Sequence, residues 1–129
     1  MASVRDDLET RSWASFTGPE RTAWLHLFIL GTTVKEQEGQ LIDGNGGLIS
    51  DKPTASLVHR CELAIRNTEL ESFYVDACVI EISSITYKGM TNQEAASPAT
   101  SKIYYRNTIF LSTDLRAKAL FWAVKKSKL

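Results

Sequence analysis

Three observations predict an α+β domain whose mostly antiparallel sheet is covered by helices. Phe73 to Tyr87, FYVDACVIEISSITY, is rich in β-branched and aromatic residues and has no Gly or Pro, the composition of a long central strand. Lys102 to Leu111 alternates, with Ile103, Tyr105, Ile109 and Leu111 on one side and Lys102, Tyr104, Arg106, Thr108 and Phe110 on the other, as a half-buried antiparallel strand does. Ser50 to Asn67 and the segment from Thr113 onward carry apolar residues at three-to-four spacing, which supplies helices to cover a sheet. With 129 residues, residues 1–129 are expected to form a single domain that buries about two-thirds of its unfolded surface.

Taken in order, Ser3 to Ser15 predicts a first helix, because Ser3 stands at capping distance from Asp6 and acidic residues crowd the first turn. Thr17-Gly18-Pro19-Glu20 reads as a turn. Trp24 to Val34 is apolar almost throughout and is expected as a second strand beside the central one. Lys35 to Gly39 turns the chain, Gln40 to Ile42 returns as a short edge strand, and Asp43-Gly44-Asn45-Gly46-Gly47 is a loop. The helix that begins near Ser50 or Asp51 directs Leu57, Val58, Cys61, Ala64 and Ile65 inward.

In the central strand, apolar residues of both parities call for cover on both faces, and the polar interruption from Glu81 to Ser84 suits a bulge. Lys88 to Ser101 is polar and contains Pro98, as a mobile or functional loop would be. Thr113 or Asp114 caps a final helix in which Leu115, Ala119 and Trp122 form a stripe.

Composition is 43% hydrophobic and 23% charged with zero formal net charge, ordinary for a soluble protein. No apolar run approaches the roughly 20 residues of a transmembrane segment, and the N-terminus lacks the basic and apolar regions of a secretory signal. The two cysteines, Cys61 and Cys78, lie in apolar contexts, as buried thiols in a reducing compartment do. Basic residues gather toward the end (Arg116, Lys118, Lys125, Lys126, Lys128 against Asp114). A helix carrying them is expected to pack its aromatic stripe on the sheet and leave its lysines in water, so nucleic acid is not an expected partner.

No stretch spells out a reaction. The glycine loop departs from phosphate-binding spacing at Ile49, and from calcium-loop spacing at Leu48 and Thr54. His59 and Cys61, two apart on a helix, project away from one another and cannot grip one metal ion, so neither metal nor cofactor is expected. Asp76 is the first choice for a general base, with His26 as the alternative and Cys78 as a thiol that His26 could activate. On a strand, Asp76 would share its face with Tyr74, Cys78 and Ile80, which are then the expected lining of an apolar pocket. Ser127, Lys128 and Leu129 spell the tripeptide that a peroxisomal import receptor reads at a chain end.

The order of elements together with that tripeptide resembles the sterol carrier protein type 2 family, which implies lipid and fatty acyl-CoA binding. No residue motif carries the resemblance, so no binding residue transfers. The expected function is a peroxisome-targeted binding module for a small apolar or acyl ligand held between sheet and helices. The alternatives are a cofactor-free peroxisomal enzyme of thioesterase, isomerase or dehydratase type using Asp76 or a His as base, and a self-associating structural protein, such as a viral one, for which a homo-oligomer is one option. A cytoplasmic location is the alternative to the peroxisome.

Overall fold

The computed structural model describes residues 3–129. In chain order its elements are α1 (Val4–Thr10), a 3-10 turn (Trp13–Ser15), α2 (Gly18–Phe28), β1 (Val34–Gln37), β2 (Gln40–Asp43), α3 (Ala55–Ile65), α4 (Glu69–Tyr87), α5 (Asn92–Ala95), α6 (Pro98–Ile109) and α7 (Thr113–Ser127). The chain is 65% helical with one two-stranded antiparallel sheet. Helix and strand are both present, but the mostly-sheet architecture is overturned.

The stretch expected as the central strand is the body of α4. The Thr68 hydroxyl accepts from the Leu70 N–H at 3.3 Å, and Glu69 and Glu71 occupy the first turn, where the helix dipole favours them. β-Branched residues cost a helix only about 0.5 kcal/mol each, which the packing of α4 on α7 and α6, with Ala77, Ile82 and Thr86 buried, offsets. The apolar residues of both parities belong to a helix that packs on α7 and α6 and leaves Val75, Val79, Ile80 and Ile85 about half-exposed, and no bulge exists at Glu81 to Ser84.

The second expected strand is helical as far as Phe28. Thr17 and Glu20 form a reciprocal capping box with Pro19 in the first turn, so the four residues expected to turn the chain instead start α2. The third expected strand lies in α6, capped by the Ser97 hydroxyl on the Thr100 N–H at 3.2 Å, with Pro98 in the first turn. Ile103, Tyr104 and Asn107 are half-buried while Tyr105 and Ile109 are exposed, a helical rather than a two-residue period. The expected Lys88 to Ser101 loop is largely α5 and the first turn of α6.

The short edge strand is present as β2. It pairs with β1 in the register Val34 with Asp43 through Gln37 with Gln40, and Glu38 and Gly39 close the hairpin at φ of 53° and 78°, the geometry that matches strand twist. In the following loop the Asp43 carboxylate accepts from the N–H groups of Asn45 at 2.9 Å and Gly47 at 3.0 Å.

The interior is filled by side chains from α1, the 3-10 turn, α2, α3 and α7. Trp13, Phe16, Trp24 and Phe121 meet at ring-centroid separations of 4.9 to 6.3 Å, within the range of favourable aromatic pairing. Leu8, Leu25, Val58, Cys61 and Leu120 close around them. Gly18 is required by close approach, since a Cβ there would sit 1.7 Å from the Asp51 carbonyl oxygen. The element order that resembled the sterol carrier family is therefore not the one present, and the sheet that was to roof an apolar hollow does not exist.

Candidate functional site

Helix α4 packs more extensively on α7 than on any other element, and the seam between them changes character along its length. At one end it is polar and closed. The Glu62 carboxylate of α3 accepts hydrogen bonds from the Tyr74 hydroxyl of α4 and from the Arg116 guanidinium of α7, the Arg116 Nε standing 3.1 Å from Oε2. Burial alone would raise the pKa of Glu62, but the hydrogen bonds from Arg116 and Tyr74 outweigh it and hold the carboxyl below its ordinary range. Burial and the bond to Glu62 push the Tyr74 phenol up. Burial likewise raises the thiol of half-buried Cys78, next to Tyr74, and takes that of fully buried Cys61 to about 12. Both thiols are free and protonated at neutral pH.

Further along, the seam opens into an apolar groove of about 290 Å³ lined by Ala77, Ile80, Glu81, Lys118, Trp122 and Lys126. Ile80 is 55% and Trp122 45% exposed, an aliphatic and an indole left in water at the mouth of a groove whose floor is buried Ala77. Glu81 is held by Lys118 at 3.1 Å, whereas Lys126 has no acidic partner among the described residues. On one side the groove continues over Val79 and Tyr87 of α4 beside Lys88. On the other, Trp122 and Lys118 lead to a cleft walled by Trp13 and Leu115. The result is an apolar band with a mainly basic rim.

A larger cleft lies elsewhere, between α1 and the hairpin. It measures about 760 Å³ and its walls include Asp7, Glu20, Glu36 and Glu38. Glu20 is bound by Arg11 at 2.6 Å, and that bond holds its pKa low despite burial. An apolar ligand would have to strip water from carboxylates there, so the smaller α4–α7 groove is the better candidate.

The expected site residues separate. Asp76 is exposed on α4. It shares a helix face with Ile80, four residues on, and not with Tyr74 or Cys78, which a helix turns about 160° or more away. His26 lies on α2 with its Nδ1 3.2 Å from the Thr32 hydroxyl. Burial and Arg60 lower its pKa against the pull of Asp43, and Asp76 is not among its charged neighbours. Tyr74 and Cys78 point into the closed polar seam, so of the three expected lining residues only Ile80 borders the groove. Trp122, expected as part of a buried stripe, and Lys126 are the residues that sequence reasoning missed. Their spacing of four on one helix was the available signal. Ser127 ends α7, Lys128 caps it and Leu129 is fully exposed. Among the described residues, no cluster of three His, Cys, Asp or Glu side chains assembles, and none of the described helices is long and apolar enough to cross a membrane.

No protein family, curated protein or solved structure matches this chain.

Proposed function

We propose that the protein is a binding module that takes an apolar chain with an anionic end, such as a fatty acyl carboxylate, in the groove between α4 and α7. The observation that carries this is the half-exposed pair Ile80 and Trp122 beside Lys126, a cation left without an acidic partner among the described residues. The acyl chain would lie over Ile80 and Trp122, and its carboxylate would meet the ammonium of Lys126. Covering the exposed parts of the two side chains removes roughly 200 Å² of apolar surface from water, about 5 kcal/mol before the cost of association. The groove is open on one side, so affinity in the micromolar-to-millimolar range is expected. Binding is better supported than turnover, because neither Asp76 nor His26 borders the groove.

The test is isothermal titration of the protein with laurate. Saturable binding at one site is expected, weakened about tenfold by Ile80→Ser and again by Lys126→Glu, with helicity unchanged. Absence of saturable binding, or equal binding by both variants, would contradict the assignment.

The terminal tripeptide supports a separate proposal, delivery to the peroxisome by its import receptor. Leu129 is wholly exposed, and Lys128 is held only by surface contacts, 4.0 Å from Glu9 and 5.7 Å from the centre of the Phe28 ring. The bonds from Lys128 N–H to Lys125 C=O at 3.3 Å and from Leu129 N–H to Lys126 C=O at 3.2 Å would open for the receptor to read the tripeptide extended. A fluorescent protein ending in residues 120–129 should enter peroxisomes and should stay cytosolic when Leu129 is deleted. Cytosolic residence of the intact fusion would refute the address.

A further inference from the structure

Helix α6 carries a ridge that the α4–α7 groove does not use. Tyr105, Ile109 and Phe110 are 68%, 74% and 76% exposed, and Thr100 is the only buried residue of the helix. Side chains of this size, about three-quarters exposed, leave roughly 400 Å² of apolar surface in water. That is as large as the largest patch on many monomers, yet here it sits on a single helix. Lys102 stands three residues before Tyr105, and Arg106 stands three before Ile109 and four before Phe110. Both exposed cations therefore lie on the same surface as the apolar side chains. No acidic residue occurs between Ser97 and Thr113. The ridge is held in place from behind: the Asn107 side-chain amide donates to the Thr86 hydroxyl at 2.9 Å, and Tyr104 stacks on Tyr87 at 6.0 Å.

We infer that this ridge docks on an anionic membrane surface, with Tyr105, Ile109 and Phe110 entering the interfacial layer and Lys102 and Arg106 meeting acidic headgroups. An apolar wedge interleaved with cations is what such a surface selects. A second copy fits less well, because a two-fold contact through the ridge sets Lys102 and Arg106 against their own kind. Nucleic acid fits less well too: Tyr105 and Phe110 have rings to offer a base, but the aliphatic Ile109 lying between them on the ridge does not.

Co-sedimentation of the full chain with vesicles of phosphatidylcholine alone, or mixed with phosphatidylserine, decides the matter. Binding to the mixed vesicles but not the neutral ones is expected, falling about tenfold in Ile109→Ser/Phe110→Ser and in Lys102→Glu/Arg106→Glu. It should be untouched by Ile80→Ser, which reports on the groove alone. No sedimentation, equal sedimentation of the ridge variants, or light scattering that shows a dimer abolished by Phe110→Ser would overturn the inference. Circular dichroism of each variant excludes misfolding as the cause of a loss.

Discussion

Glu62 shows how one side chain can tie three helices together. Its carboxylate sits on α3 and receives the Tyr74 phenol from α4 and the Arg116 guanidinium from α7, so removing any one partner leaves a half-buried polar group short of bonds. Tyr74→Phe is expected to lower unfolding stability by about 1–2 kcal/mol in urea denaturation. Glu62→Ala should cost about 2–3 kcal/mol, because it strands both donors. The pKa of Glu62 is lower in the folded state than in the unfolded one. Its stabilisation is therefore complete above the ordinary carboxylate pKa and lost as pH falls through the depressed folded value, and the acid limb should shift in Glu62→Gln. His26 works at a higher pH: its pKa is also lowered by folding, chiefly by burial, so the unfolded chain takes up its proton first. Stability should therefore fall as pH drops below the ordinary imidazole value of about 6.5, and His26→Gln should flatten that slope in thermal melts.

At the scale of elements, the helices that were legible in the sequence are those that bury their larger apolar side chains at three-to-four spacing. Helix α3 turns Leu57, Val58, Cys61 and Ile65 inward, and α7 buries Ala117, Leu120, Phe121 and Val124, so three-to-four spacing marks both. Helices α2, α4 and α6 were hidden for a physical reason. α2 buries residues nearly all round against several neighbours, whereas α4 and α6 keep apolar residues such as Val75, Val79, Ile85 and Ile109 on their exposed sides, which blurs the period. Their start signals were nonetheless written in Thr17 with Glu20, in Thr68, and in Ser97 with Pro98. Capping should therefore carry measurable weight: Thr17→Ala, which breaks the capping box, is expected to cost about 1 kcal/mol. Gly18→Ala, one residue later, should be far more damaging because the added methyl meets the Asp51 backbone. Comparing their denaturation midpoints checks both.

For the molecule as a whole, the aromatic interior built from Trp13, Phe16, Trp24 and Phe121 supplies stability, while the outer faces of α4, α6 and α7 remain available to ligands. Of the candidate site, Ile80 could be read from the sequence. The four-residue spacing of Trp122 and Lys126 put them on one helix face, but their place beside Ile80 depends on α4 being a helix against α7 and was not legible. Titration with laurate followed by amide and indole NMR tests that placement most directly. Saturable shifts confined to Ala77, Ile80, Trp122 and Lys126, with the indole signals of Trp13 and Trp24 still, are the expected result. Shifts centred on the acidic cleft at Glu36 and Glu38, or none at all, would contradict it.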